Sequence, residues 1–204
     1  MRAILRSNRA ALATLLARFR RGREGVALVE FAMVLPAMIA MYFGIVEVAQ
    51  GVMIDRKVTL LNRALADLTS QGRTLTTAEI NDIFAAAGAV MVPYTSVAPG
   101  MMIASVVIDS RGTARICWIE QRNMALPLSR GSVVTLPTEL RIPNSSVVLS
   151  RASYTYTPAV GHFITGSITL GEDAIYMRPR LGDIGGVGSV EQVGRQGVAM
   201  CPTS

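Results

Sequence analysis

GVALVEFAMVLPAMIAMYFGIVEV, residues 25–48, contains from Val26 to Val46 an apolar run of 21 residues with a single charge, Glu30. At 1.5 Å per residue a helix of that length spans roughly 31 Å, the thickness of a bilayer's hydrocarbon core. A buried core helix of a soluble protein is the bland alternative, and the length and basic flank speak against it. A secretory signal fits poorly as well. Its apolar core is normally about 7–15 residues long and ends in a small-residue cleavage site. Here the run is longer and leaves through Ile45-Val46-Glu47-Val48-Ala49-Gln50, with no such pattern. A retained membrane anchor is expected.

Upstream, residues 1–24 hold seven arginines (Arg2, Arg6, Arg9, Arg18, Arg20, Arg21 and Arg23) and one acid, Glu24. The rest of the 204-residue chain then has 13 basic and 13 acidic groups and no net charge. The basic balance therefore belongs to the leader, which removes the basis for a nucleic-acid partner. Only Arg56, Lys57 and Arg63 follow the run closely. The positive-inside rule thus places the N-terminus in the cytoplasm and everything after about residue 50 in the periplasm. Leu5, Leu12, Leu15, Leu16 and Phe19 among the arginines fit either an amphipathic helix on anionic lipid or a solvated basic tail.

Downstream, Ile54, Val58, Leu61, Leu65 and Leu68 recur at steps of four and three, the signature of one helical face. The spacing predicts a single helix from about Val26 to Ser70, stopped near Gly72 and bent at Pro36. Its outer apolar stripe needs a cover, either the chain's own C-terminal domain or another subunit. Thr76-x-x-Glu79 has capping-box spacing and opens a short helix from Thr77 to about Val90, ended by Pro93. Met101–Asp109 and Thr113–Arg122, separated by Ser110-Arg111-Gly112, read as a β-hairpin. Val147–Thr157, His162–Leu170 and Ala174–Arg178 complete an expected sheet of four to six strands, with short loops favouring antiparallel pairing. Pro127, Pro137 and Pro143 punctuate the intervening loop. Residues 181–200, with six glycines and little pattern, predict a mobile tail. The expected organisation is a leader over 1–25, a transmembrane and spine helix over 26–72, an α+β domain over 73–180 and a glycine-rich tail over 181–204.

Two residues of the anchor demand a reason. A carboxylate in lipid costs several kcal/mol, so an intramembrane acid normally has a partner or a task. Glu30 either sits near the interface and reaches the headgroups or has such a partner. Gly25 is either a junction residue or part of a recognition site. Gly25-Val26-Ala27-Leu28-Val29-Glu30-Phe31, behind a basic leader, resembles a prepilin peptidase site: glycine before the cut, glutamate five positions after it. The longer segment over 25–48 resembles the opening of TadE-like proteins, minor pseudopilins of Tad (Flp) pilus systems. The Trp118 strand, the run Ser153–Pro158 and Arg178-Pro179-Arg180 fit more loosely.

The resemblance implies a pilin-like α+β fold and cleavage between Gly25 and Val26, which leaves a mature chain of 179 residues. It implies prepilin peptidase, other pilin-like subunits and a pilus assembly platform as partners at the inner membrane. Cleavage would create an α-ammonium on Val26, and a charge in lipid is tolerable only when paired. Glu30, one helical turn away, would pair with that amine or with a neighbouring subunit's. The alternative function is an unprocessed, single-pass accessory or binding protein of an envelope secretion system.

Enzyme chemistry finds no footing in the sequence. No G-x-S-x-G elbow or P-loop lysine is present, and His162, the only histidine, lies beside Gly161 in an expected turn. Asp109, Glu139, Glu172 and Asp173 are scattered, and no metal, cofactor or small-molecule substrate is expected. Cys117 and Cys201 form no metal-ligand cluster. In an oxidising compartment they bridge and tie the tail to the sheet; otherwise they are two buried free thiols.

Overall fold

The computed structural model describes residues 24–158, 166–171 and 173–201. Residues 1–23 of the leader, His162 and Glu172 lie outside the described residues. By internal contacts the chain divides into two compact units, residues 1–48 and 49–204.

One helix, α1 (Glu24–Ser70), runs from the first unit into the second, within two residues of the expected start and ending on the expected Ser70. Pro36 lies inside it without interrupting it. In the first unit the apolar side chains face outward: Leu28, Met33, Met41 and Tyr42 are each 65–77% exposed. Among the described residues α1 is the one helix long and apolar enough to cross a membrane.

In the second unit α1 changes character. Ile54, Val58, Leu61 and Leu65 are at most 1% exposed, so the predicted stripe is buried. Its cover is the chain's own domain: the stripe packs with Val107, Val148, Ala152 and Tyr154. After a two-residue strand β1 (Thr74–Leu75) comes α2 (Thr77–Gly88), prolonged by a 3-10 turn, Ala89–Met91. Its capping box is complete. The Thr76 Oγ1 accepts from the Glu79 N–H at 3.2 Å, and a Glu79 oxygen accepts from the Thr76 N–H at 2.7 Å. Those two bonds satisfy N–H groups that a helix start otherwise leaves open.

The sheet comprises β2 (Gly100–Ile108), β3 (Ala114–Arg122), β4 (Ser145–Tyr156), β5 (Ile168–Gly171) and β6 (Ile175–Met177). All pairs are antiparallel in the order β3-β2-β4-β5, with β6 on the β4 edge beside β5. The β2–β3 turn is organised by Asp109, whose carboxylate accepts from the N–H groups of Arg111 and Thr113 at 2.9 and 2.8 Å. Mainly the Thr113 bond holds the Asp109 carboxyl below its ordinary value of 3.8.

Every residue of β2 is buried, as expected of a central strand covered on both faces. One face meets α1 and α2. The other is roofed by Met124, Leu126, Leu128, Val134 and Leu136 from the loop between β3 and β4. That loop was expected only as proline-punctuated connection; its aliphatics instead form a second core with Met102, Ala104, Val106 and Leu149.

The expectation of a mobile, patternless tail over 181–200 is corrected. Residues there form β7 (Asp183–Gly185), β8 (Val190–Gln192) and β9 (Gly194–Arg195). Val190, Gln192 and Val193 are at most 1% exposed. β7 and β8 make an antiparallel pair, and β9 runs parallel to β1. The physical reason is that glycine content describes the turns, whereas the short run Val190-Glu191-Gln192-Val193 supplies the buried side chains.

Candidate functional site

In the first unit, Gly25 and Val26 occupy the first turn of α1, with Glu30 one turn on. Among the described residues a Cβ added at Gly25 would meet nothing within 4 Å. The described residues therefore give no steric reason for glycine there. Val26 is 55% exposed and Phe31 58% exposed on the same turns. Glu30 is exposed among these apolar neighbours, and among the described residues nothing bonds to its carboxylate. Positions 26 and 30 are four apart and so share a helical face. The arrangement offers one carboxylate to a cation placed beside the helix start.

In the second unit the acids singled out in the sequence do not converge. Asp109 serves its hairpin turn, and Asp173 lends its backbone carbonyl to the Asn62 side-chain amide at 2.7 Å. Glu139 lies in a 3-10 turn, Thr138–Leu140, remote in sequence from both. Among the described residues no group of three or more His, Cys, Asp or Glu side chains is placed to hold a metal. Tyr154 and Tyr156 are buried on the α1 side of β4, where Tyr156 donates to Gln50 Oε1 at 3.3 Å.

Cys117 and Cys201 are joined by a disulfide, their Cα atoms 5.7 Å apart. A β-bulge creates the junction. Ser105 pairs with Trp118 and Val106 with Ile116, leaving Cys117 without an opposite residue. A bulge adds one residue to one strand and re-aims its side chains. Here it turns both Cys117 and Trp118 into the core beneath α1 and leaves Ile116 in the core on the other face. The Trp118 Nε1–H then donates to Val193 O at 2.7 Å.

Three residues that sequence reasoning passed over organise this region. Arg195 donates to Glu120 at 3.0 Å, to Leu75 O at 3.3 Å and to Thr77 Oγ1 at 3.0 Å, and so joins β3, β1 and the start of α2. Gln192, with no exposed surface, accepts from the Cys201 N–H at 3.1 Å and donates to Cys201 O at 2.5 Å. Lys57 on α1 donates to Val90 O at 2.9 Å and Val92 O at 2.7 Å, closing the end of the α2 segment. The one sequence signal for Gln192 is the V-E-Q-V run, short enough to be lost among glycines, and Arg195 lies just beyond it.

Residues 25–62 match the family model described as TadE-like protein. No curated protein and no solved structure gives a match. The matched stretch contains Gly25, Val26, Glu30, Pro36 and the first three residues of the buried stripe.

Proposed function

We propose that this chain is a minor, pilin-like component of a Tad-type pilus, inserted once in the inner membrane with residues 49–204 on the periplasmic side. The observation that carries the reading is the family match over residues 25–62, centred on a lipid-length helix. A prepilin peptidase cuts between Gly25 and Val26, and the new α-ammonium of Val26 pairs with Glu30, either within one chain or between neighbours in the assembly. Support for that step comes from Gly25, which the fold does not need, and from Glu30, whose carboxylate no described residue engages. The function is then packing plus one ion pair, with pilin-like subunits and the assembly platform as partners. The arginine leader supports a cytoplasmic N-terminus.

Two measurements test this. N-terminal sequencing of membrane-extracted protein should begin at Val26 when the cognate peptidase is present and at Met1 when it is absent. Glu30→Ala should still insert but should no longer co-purify with pilin partners. A Met1 terminus in both backgrounds would leave the unprocessed accessory-protein reading. Unchanged co-purification of Glu30→Ala would remove the ion pair.

A further inference from the structure

We propose that the Cys117–Cys201 bond forms in a fixed order, with Cys201 the sulfur that meets an external disulfide oxidant and Gln192 the residue that positions it against Cys117. The biological setting rests on the periplasmic placement above, since an oxidising compartment supplies the oxidant.

The two cysteines differ in access. Cys117 is 2% exposed, in the bulge of β3 beneath the 190–201 segment. Cys201 is partly exposed and lines a pocket of about 270 Å³ together with Asp109, Arg115 and Arg130. Thiolate, not thiol, attacks a disulfide, and neighbouring guanidinium groups favour it. Asp109 is the opposing charge in that pocket, where Arg115 and Arg130 outnumber it. A pocket of about 260 Å³ on the neighbouring side has Cys117 itself in its lining and shares Arg130. Cys117 nevertheless presents only 2% of its surface there, against the partly exposed Cys201.

The second feature is the Gln192 carboxamide. Its two bonds to Cys201 satisfy both backbone groups of that residue, as a neighbouring strand would. The same Oε1 lies 3.3 Å from Cys117 Sγ. In the reduced chain the Cys117 thiol has that oxygen as acceptor, so one buried side chain touches both cysteines without any covalent link between them.

The chemistry balances with glutathione disulfide as oxidant. The Cys201 thiolate attacks one glutathione sulfur, the glutathione S–S bond breaks and one glutathione thiolate leaves. The Cys117 thiolate then attacks the Cys201 sulfur of the mixed disulfide and expels the second glutathione. Two protein thiols are oxidised, one glutathione disulfide is reduced to two thiols, and the protons pass to the departing thiolates.

The test uses the full chain in detergent micelles, reduced, exposed to glutathione disulfide, acid-quenched and resolved by mass. Native Cys117→Ser should accumulate the adduct on Cys201, while native Cys201→Ser should modify Cys117 about tenfold more slowly, because that thiol needs local opening. Gln192→Ala should form the first adduct at the parent rate but close the ring about tenfold more slowly, a loss of positioning. In concentrated urea the parent and Gln192→Ala should close at one rate. Should Gln192→Ala lose the Trp118 fluorescence of the folded chain, the near-isosteric Gln192→Glu, which lacks the donor to Cys201 O, carries the same comparison. Equal native reactivity of the two cysteines, or undiminished ring closure in the folded Gln192 variant, overturns the order. A topology reporter placing the C-terminus in the cytoplasm would remove the membrane reading while leaving these rates unchanged.

Discussion

Ser150→Ala tests the tie between helix and sheet most directly. Ser150 Oγ lies 2.6 Å from Asn62 Oδ1 and 3.0 Å from Asn62 O, and neither residue is more than 3% exposed. Its hydroxyl hydrogen serves one of these oxygens at a time, so the alanine variant leaves a buried amide oxygen short of a donor. An unsatisfied buried acceptor costs about 1–3 kcal/mol, whereas the side-chain atom removed is small enough to leave almost no cavity. About 2 kcal/mol in a unit of this size lowers Tm by about 4–8 °C. The assay is thermal unfolding of the full chain in micelles, followed by Trp118 fluorescence. Asn62→Leu should be destabilising too, since it takes Oδ1 from the Ser150 hydroxyl, leaving it the backbone Asn62 O alone, and frees Asp173 O. The double variant should then be less destabilised than the sum by about 1–2 kcal/mol, because Asn62→Leu removes the oxygen that Ser150→Ala leaves stranded. Strict additivity, or a Ser150→Ala chain melting with the parent, would refute the idea that this pair locks α1 to β4.

Arg195→Met should cost about 1–3 kcal/mol and loosen the start of α2, read by hydrogen exchange at Thr77–Ile80, since the guanidinium joins three elements while only 13% exposed. Gly171→Ala should cost about 2–4 kcal/mol in chemical unfolding. Its φ is +89°, and the added Cβ would lie 2.5 Å from Val58 Cγ1 and 2.6 Å from Ala152 O. The Thr76 N–H and hydroxyl hold the Glu79 carboxyl below its ordinary value of 4.5. A depressed carboxyl stabilises the fold above its unfolded value, and that contribution fades as pH falls from about 4.5 through the folded value. Glu79→Gln, which keeps the cap but cannot titrate, should therefore flatten part of the acid limb of Tm against pH.

How much of this was legible depends on the kind of interaction. The helix and its buried stripe were readable because burial on one helical face imposes a period, and α1 ends on Ser70 as that period predicts. The hairpin around Gly112 and the capping box announce themselves through local chemistry, and both are present. The C-terminal strands were not readable. Two- and three-residue strands carry no periodicity, and their order comes from distant partners such as Arg73, Leu75 and Trp118. The bulge at Cys117 was equally silent, because one extra residue in a strand changes facing without changing composition. At the candidate site, Gly25 and Glu30 stood out as departures from their surroundings, whereas Gln192 resembled any polar residue in a loop.

The parallel pairing of β1 with β9 has a mechanical consequence. β1 directly follows α1, and the chain beyond β9 ends its described course at Cys201, covalently held to the sheet. Tension arriving at the head of β1 and resisted at the foot of β9 pulls the pair lengthwise. The Gly194 N–H to Arg73 O and Gln196 N–H to Leu75 O bonds then share the load instead of parting in turn. A chain pulled by its helix would thus transmit force into the sheet through a sheared joint with a sulfur rivet at its far end.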